Sequence, residues 1–279
     1  MHKSSCFVTL TYDEKNLPQP PSLNHRDFQL FLKRLRQYLA RLQGASQQRK
    51  IDDHPKTENT PVEHNDQNSQ PRALQNSESQ NTLRYYMSGE YGEKNGRPHF
   101  HACLFGWEPH DKIYHQKTKS GETIYTSETL TKLWGKGYAS VGTVTFASAA
   151  YIARYLMTKV TGEKAKAHYT TLDPATGELY ERKPEYNEMS LKPGIGERWF
   201  RKYKRDVYPH GYAIIDGNKS QTPRYYDKLF EKYHPHEHRK LQERRQQEAR
   251  KKFSETSNDR LTAQRIVKDA QLNQLKRKL

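Results

Sequence analysis

The chain has 279 residues, with 48 Lys and Arg against 32 Asp and Glu, a net charge of +16 and a pI near 9.6. Such an excess of clustered cations implies a polyanionic partner, nucleic acid first, because Lys and Arg neutralise phosphates and release their counterions. No apolar run approaches the length of a spanning helix and Met1–Ser5 has no signal-peptide core, so a membrane role is excluded and the cytoplasm is the expected compartment. Two cysteines, Cys6 and Cys103, are too few for a structural zinc cluster.

In chain order, Phe7–Tyr12 is a β-branched and aromatic run that reads as a strand. From Asn24, an N-cap, to Gln43, the residues Phe28, Phe31, Leu32, Leu35, Tyr38, Leu39 and Leu42 recur at helical spacing, which predicts an amphipathic helix with a basic outer face. Residues 44–82 change character: Gln, Asn, Ser and His dominate, no aromatic occurs, and four cations face six acids. That composition builds no core and predicts a disordered insert. Leu83–Glu90 and His99–Phe105 read as two strands of a hairpin, with Asn95-Gly96 as the turn signal. Tyr138–Phe146 predicts another strand and Ala147–Val160 a helix, followed by loops around Asp173-Pro174 and Pro193-Gly194. From His234 a charged helical tail carries 13 Lys and Arg against 6 Asp and Glu. Strand, helix, strands, helix gives an α+β fold with a largely antiparallel sheet. The expected division is a domain over 1–233, with the insert inside it, and a basic tail over 234–279.

Residues two apart on a strand share a face, so His99 and His101 project together. A turn centred on Lys94-Asn95 sets Glu90 opposite His99, and one centred on Asn95-Gly96 sets it opposite His101. Either register gathers two imidazoles and a carboxylate, a donor set that suits a catalytic divalent ion such as Mg²⁺ or Mn²⁺ and does not exclude zinc. On a helical wheel with Tyr151 at zero, Tyr155 falls at about 40° and Lys159 at about 80°, while Ile152, Ala153, Leu156 and Val160 cover the arc from about 100° to 200°. Two tyrosines thus stand one turn apart beside the apolar stripe. A tyrosine hydroxyl, with an ordinary pKa near 10, attacks a phosphodiester at neutral pH only where the phosphorus is polarised. Glu90, His99 and His101 would hold the ion that does this, and Lys159 would support the phosphate charge.

Phe7–Tyr12, His99-Phe100-His101 and Tyr151-Ile152-Ala153-Arg154-Tyr155 with Lys159 resemble, in order, the three motifs of the histidine-hydrophobic-histidine (HUH) replication initiators. The likeness is strongest to the initiators of microviruses, the gokushovirus branch above all, and Arg84–Gly92, Lys192–Phe200 and Pro223–Asp227 share in it. The resemblance implies a five-stranded antiparallel sheet with the metal on its face and a tyrosine helix across it. It implies rolling-circle replication, in which one tyrosine nicks single-stranded origin DNA and keeps the 5′-phosphate while the other later closes the circle. The implied partners are origin DNA and the helicase and polymerase of the host bacterium. Three other readings remain open on the residues: a non-enzymatic single-strand binder that stacks bases on its aromatics, a relaxase or single-strand transposase, and a metal-dependent hydrolase that leaves no protein on the DNA.

Overall fold

The computed structural model describes residues 2–52, 83–92, 95–118, 121–155, 159–173, 176–208, 210–215, 217–251 and 253–274, without the side chains of 45–52, 155, 254 and 255. It divides into two compact units, His2–Met189 and Ser190–Lys278.

The first unit runs β1 (Ser5–Tyr12), α1 (His25–Asp52), β2 (Arg84–Tyr91), β3 (Pro98–Phe105), β4 (Ile113–Lys117), β5 (Thr123–Thr126), α2 (Glu128–Trp134), β6 (Gly137–Gly142), α3 (Phe146–Tyr155), α4 (Lys164–Tyr169), β7 (Thr170–Leu172), β8 (Leu179–Glu181) and β9 (Tyr186–Met189). The main sheet has seven strands in the order β4-β5-β6-β1-β3-β2-β9, and every pairing in it is antiparallel. The α+β class is as expected, but the sheet is wider than the expected five strands. Its outer members explain the shortfall: β4 is exposed at every position and β9 has only four residues, so neither carries an alternating apolar signal.

Alternation divides the sheet into two faces. Val8, Leu10 and Tyr12 of β1, Met87 of β2, and Phe100, Ala102 and Leu104 of β3 point to one side, where they bury against Phe28, Phe31, Leu32 and Leu35 of α1 and Leu130 and Trp134 of α2. The Trp134 indole N–H donates to the Thr11 carbonyl at 3.1 Å, and the Arg34 guanidinium donates to the carbonyls of Leu133 and Trp134. Gly137 opens β6 at φ +135°, where an added Cβ would lie 2.3 Å from the Asp13 amide nitrogen; a side chain has no room there. Asn24 caps α1 as its sequence predicts, its side-chain oxygen accepting from the Arg26 N–H at 3.2 Å.

Two expected boundaries move. The first helix does not stop at Gln43 but continues to Asp52, because Ala, Gln, Arg and Lys without a proline extend a helix whose first turns are already packed. The expected insert therefore begins as helix, and residues 53–82 lie outside the described residues. The strand expected over 138–146 ends at Gly142, and the helix starts at Phe146 rather than Ala147. A reciprocal cap fixes that start: the Ser148 N–H donates to Thr145 Oγ1 at 3.1 Å and the Thr145 N–H to Ser148 Oγ at 2.8 Å. The helix does not reach Val160, whose N–H donates to the Tyr169 hydroxyl instead of continuing the ladder.

The second unit contains α5 (Glu197–Val207), a hairpin of β10 (Tyr212–Ile215) and β11 (Asn218–Gln221), α6 (Arg224–Tyr233), α7 (Pro235–Lys251) and α8 (Asn258–Gln274). Phe200, Val207, Tyr208, Leu229, Phe230 and Leu241 form its core. Arg245 on α7 donates to the Asp227 carboxylate and to the Gly211 carbonyl, so the chain beyond His234 is helical, as expected, and its first helix is built into this unit.

Candidate metal and tyrosine site

The second face of the sheet carries the chemistry. In the observed register Glu90 pairs with His99, Ser88 with His101, and Thr9 with His101 on the other side. Of the two registers open to the hairpin, this is the one centred on residues 94 and 95. Glu90 Oε2 lies 3.8 Å from His99 Nε2 and 3.7 Å from His101 Nε2. Among the described residues, Glu90, His99 and His101 form the group of three metal-type side chains whose ligand atoms all lie within 4.8 Å of one another.

Neighbours set the outer nitrogens. His99 Nδ1 is 3.1 Å from the Arg97 carbonyl, which accepts its proton, and His101 Nδ1 is 3.0 Å from Thr9 Oγ1. Both Nε2 atoms thereby turn lone pairs toward Glu90. Burial lowers the pKa of both imidazoles, that of His101 well below its ordinary value with His99 adding to the effect, and so favours the neutral form that ligates a metal. Glu90 is wholly buried, and one of its oxygens accepts from the Ser88 hydroxyl.

This donor set fits a divalent ion. Ligands about 2.1 Å from a metal at tetrahedral to trigonal angles lie roughly 3.4–3.6 Å apart, so closing the trio onto an ion asks for a few tenths of an ångström. Two neutral nitrogens and one buried carboxylate, with coordination positions to spare, suit Mg²⁺ or Mn²⁺ acting on a phosphate oxygen.

The α3 helix crosses this face. Ile152 is fully buried against Phe7 and Cys103, with Ala149 and Tyr86 packed around them. This anchor turns the preceding residue to the trio: the Tyr151 hydroxyl donates to Glu90 Oε2 at 3.5 Å, and its ring meets that of His101 edge-on at 5.2 Å. Tyr155 is the last residue of the helix, one turn beyond Tyr151 on the backbone, and its side chain lies outside the described residues. Lys159 follows the helix rather than extending it, so the wheel position expected for it does not apply.

A family model described as replication-associated protein, of the ORF2 type, matches residues 53–160, which hold Glu90, His99, His101, Tyr151 and Tyr155. The chain is 33% identical over 236 residues to the replication-associated protein VP4 of Bdellovibrio phage phiMH2K, across 84% of this chain and 60% of VP4. This chain is a relative of the phage replication-associated proteins. It is also 29% identical over 154 residues to ORF2 of Spiroplasma virus 4 and 28% identical over 155 residues to ORF4 of Chlamydia phage 1, in each case across 54% of this chain and 44% and 36% of the relative. The chain thus spans about half the length of the curated relatives it matches, and no solved structure matches it. The likeness to microvirus replication initiators drawn from the motifs is borne out by these replication-associated proteins.

Ser88 and Thr9 were not singled out by sequence reasoning, although both touch the trio. The signal was available, since Ser88 stands two residues before Glu90 on one strand and Thr9 pairs with His101 across two strands.

Proposed function

We propose that this chain initiates rolling-circle replication of a phage genome by nicking single-stranded origin DNA through a tyrosine. The observation that carries the reading is the Tyr151 hydroxyl 3.5 Å from Glu90 Oε2, at the edge of a trio with metal-ligand chemistry. Tyr151 Oη bonds to the scissile phosphorus as the bond from phosphorus to the 3′ oxygen breaks, leaving a 5′-phosphotyrosine and a 3′-hydroxyl. Glu90 Oε2 is the acceptor that the tyrosine proton faces, and the departing 3′ oxygen gains a proton from solvent. A divalent ion on Glu90, His99 and His101, Mg²⁺ or Mn²⁺, would draw charge from the phosphate and ease the attack. Tyr155 is the second nucleophile that rejoins the strand when the circle is complete, and Lys159 supports the phosphate charge. The 3′-hydroxyl primes synthesis by the host polymerase behind the host helicase, in the cytoplasm of the host bacterium.

The test is to mix the full chain with 5′- and 3′-labelled single-stranded oligonucleotides tiling a phage viral strand and Mn²⁺, and to look for a denaturant-resistant adduct. The expected adduct carries the 3′ part of the cut strand through its 5′-phosphate. Cutting without an adduct would make the enzyme a hydrolase and overturn the proposal.

A further inference from the structure

Beside the trio, on the same face of the sheet, lies a cavity of about 470 Å³. Phe7, Ile124 and Gly142 give it apolar walls; Thr118, Thr123, Tyr125, Thr143, Thr145 and Ser148 give it hydroxyls; Glu122 gives it a carboxylate; and His101 forms part of the lining. Ligand pockets span about 300–1,000 Å³. The His101 ring, stacked on Phe7 at 5.4 Å and 21°, is therefore shared between this cavity and the trio.

The lining decides the ligand class. It contains no Lys or Arg and one acid, so a phosphate or another anion is disfavoured. Apolar walls with an aromatic ring suit a flat neutral heterocycle, and a ring of hydroxyls with one carboxylate suits a polar edge that donates hydrogen bonds. A nucleobase has both features. Glu122 favours bases that carry an exocyclic amine, cytosine, adenine or guanine, over thymine. The opening beside Gly142 is real space: a Cβ built there meets only Ile124 Cδ1 at 3.8 Å and Phe7 Cδ1 at 3.9 Å, which is ordinary contact.

We infer that this cavity is a base pocket, which takes the base of a nucleotide adjoining the scissile phosphate out of the strand and so helps to select where the strand is cut. The inference rests on the nicking reading for the words "adjoining the scissile phosphate", and on the cavity alone for the binding of a base. Unstacking a base from single-stranded DNA costs little, and stacking on a protein ring outweighs it.

The experiment measures binding of the full chain, without divalent ion, to the tiling oligonucleotides with each nucleotide in turn replaced by an abasic one. With the wild type, one position is expected to weaken binding by about 5- to 150-fold when its base is lost. Gly142→Val, which fits the strand and fills the cavity, is expected to bind the intact strand as weakly as the wild type binds the abasic one, with no further loss at that position; Gly142→Ala keeps most of the space and binds as the wild type. Thr123→Phe fills the cavity from β5 and is expected to behave like Gly142→Val, which guards against a folding defect at either site. Glu122→Gln is expected to narrow the preference for amine-bearing bases over thymine. An unchanged abasic profile in both filled variants overturns the pocket. In adducts formed with Mn²⁺, the sensitive position should adjoin the joined phosphate, and a position remote from it also overturns the pocket. If the wild type forms no adduct while the binding profile behaves as expected, the nicking reading fails and the base pocket stands.

Discussion

Replacing Ile152 by Ala tests whether the tyrosine helix is held to the sheet by a single apolar anchor. Ile152 is fully buried between Phe7 and Cys103, while the large core cluster lies on the other face of the sheet. Truncation removes the side chain that fills this contact, at a cost of about 2–4 kcal/mol from lost transfer energy and the cavity left behind. Because α3 touches the sheet through this small cluster, the loss falls on its docking rather than on global stability. A change of that size speeds local opening by roughly 30- to 700-fold. Native-state hydrogen exchange should show that acceleration for the amides of Tyr151 and Ile152, with those of Val8, Leu10 and Phe100 unchanged, and adduct formation should fall in step. Ile152→Val, costing about 0.5–1.5 kcal/mol, should lie between. Equal acceleration in α3 and in β1 and β3 would show that helix and sheet open as one unit and would refute the reasoning.

Four further outcomes are expected. Mn²⁺ at about 100 times its Kd should stabilise the wild type by roughly 2.7 kcal/mol in thermal unfolding, and the double variant His99→Ala, His101→Ala should lose both this effect and nicking while still binding single-stranded DNA. Tyr151→Phe and Tyr155→Phe should each retain some nicking yet fail to release unit-length circles, and the double variant should form no adduct; an adduct from the double variant would place the nucleophile elsewhere. In the second unit, burial alone would raise the Asp227 carboxyl, but hydrogen bonds from Arg245, Thr222 and Tyr208 outweigh it and hold the pKa below its ordinary value. Its contribution is therefore present above the unfolded carboxyl pKa of about 3.9 and is lost as pH falls toward the folded value; Asp227→Asn should flatten that acid slope in unfolding experiments and cost about 1–2 kcal/mol at neutral pH. Truncation before His234 removes Leu241 and Arg245 and should expose the second unit to limited proteolysis, whereas truncation after Lys251 should leave it protected.

The legible parts of the chain were those with a strong period. The α1 residues Phe28, Phe31, Leu32 and Leu35 repeat at helical spacing and all four are buried, and the alternation of β3 separates His99 and His101 from Phe100 and Ala102 as expected. The hairpin also made Glu90 legible, since both plausible turns bring it beside a histidine, though only the fold chooses between them. What escaped was set by non-local contact. The strand β9 pairs with β2 from about 100 residues away, and its four residues are half-buried or exposed, so no pattern marks them. The cavity beside His101 assembles from β1, β3, the β4–β5 hairpin and the start of α3, none of which signals a hollow in its own sequence. The end of α3 was misjudged because the apolar pattern continues through Leu156 and Val160, while a tertiary hydrogen bond from Val160 to Tyr169 takes over from the helical ladder.

The three candidate ligands lie within twelve consecutive residues on one hairpin, whereas Tyr151 comes fifty residues after His101. Local contacts close early in folding and distant ones late, because a longer loop costs more entropy before its contacts repay it. Pairing of β2 with β3 is therefore enough to bring Glu90, His99 and His101 together, before β6 has joined β1 and before α3 has a surface on which to dock. An incompletely folded chain has the cation site and lacks the nucleophile beside it. The order of assembly thus keeps a DNA-cutting centre unarmed until the last helix is in place.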